Sequence, residues 1–504
     1  MPNDTRDTHA RPPAPELGQV QRQAVGELLR VAPVADDLAV RFAEAGFSLA
    51  LVGGSVRDAL LGRLGNDLDF ATDARPEDVL RIVRPWADAV WDVGIAFGTV
   101  GCRKSAPDTA GDGGDGGDGG DGVRDFQLEI TTYRSEAYDR TSRKPEVAYG
   151  ESLEEDLLRR DFTVNAMAVA LPRKEFVDPY DGLGDLAQRV LRTPATPEES
   201  FSDDPLRMMR AARFSAQLDF AVAEPVRDAM RAMADRIDIV SAERVRDELN
   251  KLLLSEHPRK GITLLVETGL ADRVLPEVPA LRLERDEHHR HKDVYEHSLT
   301  VLEQAIALED EGPDLVLRLA ALLHDIGKPR TRRFESDGRV SFHHHEVVGA
   351  KMTKQRMTRL KYPNDMVKDV CRLVELHLRF HGYGTGEWTD SAVRRYVRDA
   401  GPLLRRLHKL TRSDCTTRNK RKAQALSQAY DGLEQRIERL QGQEELDAIR
   451  PDLDGNAIMT ALGIGPGPEV GKAYRYLLEL RIEQGPLGQE AAEAALREWW
   501  TVQK

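Results

Sequence analysis

The chain has 504 residues, 31% of them charged and 40% hydrophobic, with a formal net charge of −13 and only three cysteines. That length supports about three domains, no apolar run approaches the roughly 18 to 20 residues of a membrane span, and Cys102, Cys371 and Cys415 are too isolated for a disulfide framework. The acidic balance argues against indiscriminate affinity for polyanions and confines any nucleic-acid contact to local patches.

Residues 1–16 are polar and proline-bearing and read as a disordered N-terminus; with no apolar export-like stretch and a reducing cysteine pattern, a cytoplasmic location is expected. From Gln19 to Gly46 one or two helices are predicted, with Leu28, Leu29, Val31, Leu38, Phe42 and Ala45 facing a core. Strands follow at Leu49–Val52, Asp67–Ala71, Phe97–Cys102 and Phe126–Tyr133, with a helix at Pro76–Val83. Between the last two strands lies a Gly/Asp insert, residues 111–122. It lacks the proline of collagen and the apolar position of a calcium-binding β-helix, so it reads as a flexible solvated loop joining adjacent antiparallel strands.

The chemistry starts at Gly53-Gly54, where an apolar strand gives way to a helix predicted over Ser55–Leu61. Backbone amides at such a turn, backed by a helix N-terminus, favour an anion, and Arg57 in the first turn adds a forked donor for phosphate oxygens. In the next strand, side chains two apart project together, so Asp67 and Asp69 share one face while Leu68 and Phe70 face the core. Paired carboxylates on a rigid strand suit Mg²⁺, and a two-ion site stabilises both oxygens of a phosphoryl transfer. Glu129, in a strand expected beside this one, is either a third metal ligand, a base for an attacking hydroxyl, or a strand-end glutamate facing water.

Arg159-Arg160 is expected at a helix start, with Arg160 aimed at a triphosphate, and Phe176–Gly182 forms a strand and turn that close the first domain. Further on, Ser202 or Asp203 is expected to cap a helix with Pro205 in its first turn. On that helix Arg207, Arg210 and Arg213 recur every three residues. Asp204 and Arg207, an acceptor beside a donor, complement the base edge that cytosine and adenine share and that uracil and guanine reverse. The remaining arginines are expected to reach the triphosphate.

Four motifs, Gly53-Gly54-x-Val56-Arg57-Asp58, Asp67-x-Asp69, Arg159-Arg160-Asp161-Phe162-Thr163-x-Asn165-Ala166 and Asp204-x-x-Arg207-x-x-Arg210-x-x-Arg213, occur in this order within residues 30–275. This region resembles the class II tRNA nucleotidyltransferases, the family of CCA-adding enzymes and bacterial poly(A) polymerases. The resemblance implies an α+β fold: a polymerase β-like head of mixed sheet and helices, then an all-α neck, body and tail. It also implies Mg²⁺ on the catalytic Asp67 and Asp69, an incoming nucleotide held by Gly54, Arg57 and Arg160, and a base read by Asp204 and Arg207. The partners implied are CTP, ATP and the 3′ end of tRNA, and the reaction is template-independent addition or repair of CCA. The rivals within the family are a poly(A) polymerase and an enzyme restricted to adding A or CC. Asp203 stands where the family usually carries Glu.

Ten of the thirteen histidines lie between residues 288 and 381. An apolar helix ending in His324-Asp325 sets a charge where it needs a partner, and a metal is the natural one. The series His297, His324-Asp325, His345, His377 and Asp414 resembles the HD phosphohydrolase domain. That similarity assigns His297, His324, Asp325 and Asp414 to a primary metal, a divalent transition ion or Mg²⁺, and His345 with His377 to a second centre, for metal-assisted hydrolysis of a phosphoester. A protein acting mainly as such a hydrolase, with the head as an RNA-binding adaptor, is the reading from another class. A basic helix over residues 403–422 is a candidate tRNA contact. The expected layout is a head at 17–182, a neck at 183–280, an HD domain at 285–425 and a helical tail at 426–504.

Overall fold

The computed structural model describes residues 33–63, 65–91, 94–95, 98–107, 123–137, 146–150, 152–282, 293–336, 340–380, 383, 388–416, 419–444 and 450–503. The Gly/Asp insert, the N-terminal segment and the proposed core positions Leu28, Leu29 and Val31 lie outside these residues. The chain divides into two compact units, Met1–Ile239 and Val240–Lys504.

The first unit is built on a seven-stranded sheet of order β3-β4-β5-β2-β1-β8-β9, from β1 (Leu49–Val52), β2 (Asp67–Thr72), β3 (Ala89–Trp91), β4 (Thr99–Pro107), β5 (Val123–Thr132), β8 (Ala168–Leu171) and β9 (Glu175–Val177). The short pair β6 (Arg134–Ala137) and β7 (Glu146–Tyr149) stands apart. Only β2 and β5 run parallel in the large sheet; β4 and β5 pair antiparallel from Thr99↔Thr131 to Pro107↔Val123, as expected for the strands flanking the insert. Period-two alternation explains the layering. Leu68, Phe70, Leu128, Ile130, Val100 and Cys102 are buried on one face, while Asp67, Asp69, Gln127 and Glu129 are exposed on the other.

Helices α1 (Pro33–Glu44) and α3 (Pro76–Val83) pack on the sheet, and α2 (Gly54–Leu60) packs on β1 and β2. Leu38 and Phe42 of α1 are fully buried, whereas Ala45 is half-buried beyond the helix end. Each large side chain withdrawn from water in this way contributes about 1.5 to 3 kcal/mol.

Two helix boundaries differ from expectation. Arg159 and Arg160 follow the end of α4 (Leu153–Leu158), because Ser152 caps its start by accepting from Glu155 N at 3.2 Å, and the acids Glu154, Glu155 and Asp156 occupy the first turn. That charge order suits the helix dipole, acids first and arginines last. After α5 (Gly182–Gln188), α6 (Pro197–Asp203) begins at a Thr196/Glu199 capping box, so Ser202 and Asp203 end a helix instead of capping one. Pro205 forces the preceding residue out of the helical region, and Asp204, extended, accepts from Leu206 N at 3.1 Å to open α7 (Leu206–Leu218).

Among the described residues the second unit is helical except for a ribbon of Arg333–Phe334 with Val340–Ser341. Its last helices enclose a small core of their own around Leu453, Ile458, Leu477 and Leu496. The predicted basic helix is two helices, Leu404–Ser413 and Lys420–Glu444. The cations of the first are matched: Arg405 and Lys409 meet Asp310, Arg406 meets Asp314, and Arg412 meets Asp431 and Glu434. These pairs balance charge on the first half of the proposed tRNA patch. No helix among the described residues is long and apolar enough to cross a membrane.

Candidate active sites

In the first unit, parallel pairing sets Asp67 opposite Gln127 and Asp69 opposite Glu129. Directly opposed residues share a face, so Asp67, Asp69 and Glu129 form one group of carboxylates. Although Asp69 reaches solvent, the protein packed around its carboxyl raises its pKa to about 6; Arg160 opposes that shift, while Glu129 and Asp67 add to it. Crowded hard oxygen donors of one sign fit a divalent cation such as Mg²⁺. The Ser55 hydroxyl fixes this strand to the start of α2, accepting from Asp69 N at 3.0 Å and donating to Asp67 O at 3.3 Å.

At the strand-to-helix turn the decisive residue is Gly53. Its φ of +71° is the left-handed region, and a Cβ there would fall 2.6 Å from the Arg160 guanidinium. Gly54, the position assigned to the nucleotide, is the first residue of α2. Arg160 thus reaches the turn from just beyond the end of α4, held by the buried Asp156, which also pairs with Arg159, each at 3.0 Å. Burial alone would raise the Asp156 pKa, but the two arginines outweigh it and lower it.

The other arginines fall into two groups. Arg57 is buried, donating to Asn165 Oδ1 at 2.5 Å and to both oxygens of Asp58 at 2.8 Å, so it locks the first motif onto the third. Arg213 is also buried, with its guanidinium 3.9 Å from the centre of the Phe214 ring and donating to Gln217 at 2.9 Å. Arg210 is partly open and pairs with Asp161 at 2.6 Å. Asp161 is held at about 2 despite burial, because Arg210 and Asn165 favour its charge. Arg207, half-buried, donates to Ser200 Oγ at 3.0 Å and to the carbonyl of Arg159. The third and fourth motifs are therefore cross-linked beside Arg160, while Arg57 and Arg213 are engaged inside the protein in this structure. Ser55, Asp156, Asp161 and Asn165 are contributors that the residue-by-residue reading passed over; the signal for Asp156 was an acid placed three and four residues before two arginines.

In the second unit His297, Asp325, His345, His377 and Asp414 line a cavity of about 860 Å³. His297, His324 and Asp414 form one cluster of potential ligands and Asp325, His345 and His377 another, each with donor atoms within 4.8 Å of one another. Through one of its oxygens Asp325 groups with His345 and His377. It still serves both sides: its Oδ2 lies 3.2 Å from His324 and 3.6 Å from His297, and its Oδ1 lies 3.2 Å from His345 and 3.9 Å from His377.

The imidazoles are oriented as metal ligands would be. The Nδ1 atoms of His324, His345 and His377 face the carbonyls of Ala321, Phe342 and Val374 at 2.6 to 2.8 Å, which turns each Nε2 lone pair inward. Nε2 of His324 is buried without a hydrogen bond among the described residues, and Nε2 of His345 faces that of His377 at 3.3 Å. Two facing lone pairs repel unless a cation or proton lies between them. Burial opposes charge on His324, yet Asp325 and Asp414 raise its pKa to about 10, while burial and the His324 charge push His377 down to about 3. Lys328 Nζ, donating to Asp325 Oδ2 at 2.6 Å, sets a further positive charge beside the carboxylates.

Residues 49–192 match the family model of the poly A polymerase head domain, 219–281 that of the probable RNA and SrmB-binding site of polymerase A, and 294–419 that of the HD domain. The chain is 39% identical over 357 residues to the A-adding tRNA nucleotidyltransferase of Deinococcus radiodurans, covering 69% of this chain and 80% of that one. It is 33% identical over 450 residues to the CCA-adding enzyme of Streptococcus thermophilus, covering 88% and 91%. The chain belongs to the tRNA nucleotidyltransferase family. The fold of this tRNA nucleotidyltransferase is shared with the Bacillus stearothermophilus CCA-adding enzyme in complex with CTP, at a TM-score of 0.63 and 24% identity over 94% of this chain and 98% of that one. It is shared also with the Thermotoga maritima CCA-adding enzyme complexed with tRNA, at a TM-score of 0.55 and 16% identity over 95% and 98%.

Proposed function

We propose that this tRNA nucleotidyltransferase builds or repairs the 3′-terminal CCA of tRNA from CTP and ATP without a nucleic-acid template. The observation that carries the reading is the carboxylate group of Asp67, Asp69 and Glu129 lying next to Arg160, which itself packs against the Gly53 turn. Mg²⁺ held by Asp67 and Asp69 would supply Lewis acidity to the attacking ribose hydroxyl and neutralise charge on the departing pyrophosphate. Arg160 orients the triphosphate from the turn. Glu129, opposite Asp69, takes the proton from the hydroxyl. Asp204 and Arg207 present an acceptor and a donor to the edge common to cytosine and adenine.

In the second unit, the inward Nε2 atoms and the two faces of Asp325 would hold one or two divalent ions, whose Lewis acidity serves hydrolysis of a phosphoester. A cytoplasmic location accords with a tRNA substrate.

The testing experiment offers tRNA ending at the discriminator base each nucleotide singly and in pairs, with products resolved to one nucleotide. CTP alone is expected to extend the RNA by two residues, with a single A added only afterwards. Long tails from ATP alone would reject the reading. A narrower activity is favoured by one observation, the A-adding relative from Deinococcus radiodurans. In that case CTP is inert and one A is added only to tRNA already ending in CC. Replacing Asp204 and Arg207 together with Ala is expected to lower discrimination against UTP and GTP by about 10- to 100-fold, measured as the ratio of kcat/KM values. Unchanged discrimination would remove these residues from base selection.

A further inference from the structure

Four residues stand directly opposite one another across the exposed face of the sheet: Asp69 on β2, Glu129 on β5, Gly101 on β4 and Trp91 on β3. The Trp91 indole covers Gly101, where any Cβ would overlap its ring nitrogen, so the ring leans across β4 toward Glu129. Trp91 remains 36% exposed, although the other face of these strands is buried. In the neighbouring row Asp67, Gln127 and Arg103 are opposite in the same way; Arg103 is exposed and forms no ion pair among the described residues. A half-open aromatic and an open cation therefore flank the carboxylates on the β4–β3 side.

We propose that Trp91 and Arg103 are the platform for the 3′-terminal nucleotide of the acceptor RNA, Trp91 stacking its base and Arg103 meeting its phosphate. The proposal rests on the nucleotide-adding role of the head given above. Phosphoryl transfer requires the attacking hydroxyl in line with the leaving pyrophosphate, hence on the opposite side of the α-phosphate. Gly53 and Arg160 bring the triphosphate in from the β1 side, so the acceptor must arrive from the β5 side, where these two side chains wait. Stacking on an indole accepts any base, which suits an acceptor whose last residue changes at each addition, and an arginine beside it tracks the backbone. Both groups act through the position of the RNA and take no part in bond making, so Trp91 and Arg103 are positioning residues.

The test compares Trp91→Ala, Trp91→Leu and Trp91→Phe in the full-length protein, using tRNA ending at the discriminator base. Ala and Leu are expected to raise the KM for tRNA by about 5- to 100-fold while the KM for CTP changes by less than about twofold, and Phe to recover most of the loss. Leu is the control for folding, since it covers Gly101 without offering a π face. Arg103→Gln is expected to reduce the slope of log affinity against log salt by about one. If Leu binds tRNA as the wild type does, Trp91 only covers Gly101 and the proposal fails; if the KM for CTP rises instead, Trp91 serves the incoming nucleotide and it also fails. A wild-type protein unable to extend RNA would overturn the underlying role together with the platform, an outcome separate from normal extension with an unmoved tRNA KM.

Discussion

Asp69→Asn is expected to cut nucleotide addition by about a thousandfold or more, since a lost metal clamp costs several kcal/mol and each 1.36 kcal/mol is a factor of ten in rate. The substitution keeps shape and hydrogen-bonding length, so the loss reports charge. Stability should move the other way. A carboxyl raised to about 6 is destabilising when ionised, and this penalty is present above about pH 6 and falls away as pH drops toward the ordinary carboxylate range. The neutral Asn avoids it, so at neutral pH the variant is expected to melt no lower than the wild type. The same shift makes protons compete with Mg²⁺. In the wild type the Mg²⁺ concentration for half-maximal single-turnover extension should rise as pH falls through about 6. A Mg²⁺ requirement flat across that pH range, or a variant that still extends tRNA at the wild-type rate, would count against the carboxylate group as the catalytic centre.

Asp325→Asn is expected to empty the second centre. Its two carboxylate oxygens face different histidine pairs, so one substitution weakens both sets of ligands at once, whereas His297→Ala removes a ligand from one side only. Metal content of the purified protein, measured by elemental analysis, should fall at least about tenfold, and any phosphoester hydrolysis by about a thousandfold. CCA addition should be unaffected, because the residues assigned to it lie in the other compact unit. Metal content unchanged from wild type would exclude Asp325 as a ligand, and lost addition would overturn the separation of two chemistries.

The carboxylate strand was legible in the sequence because alternation is local: Asp67 and Asp69 could only face away from Leu68 and Phe70. What alternation does not reveal is which residue of another strand stands opposite, so Glu129 was found but its register with Asp69 was not. Arg57 and Arg213 show a different gap. Arginine is ordinarily exposed, and only the fold reveals that Asn165 and Phe214 supply partners that make burial tolerable. The boundary at Asp204 was readable in principle, since Thr196, Pro197 and Glu199 spell a capping box one helix earlier. The six metal-ligand candidates were legible as a series, but the place of Asp325 between two histidine pairs was not, because it depends on how helices distant in sequence pack together.

The long antiparallel pairing of β4 with β5 has a consequence for how this protein can change. Its open end, Pro107 opposite Val123, lies about 20 Å along the strands from Glu129 at about 3.4 Å per residue. The backbone ladder in between fixes alignment whatever joins the two strands, and the entropic penalty of a longer connection grows only logarithmically. Lineages can thus lengthen or rewrite the connection at little expense to catalysis, and an experimenter can graft an affinity tag or a fluorescent reporter there.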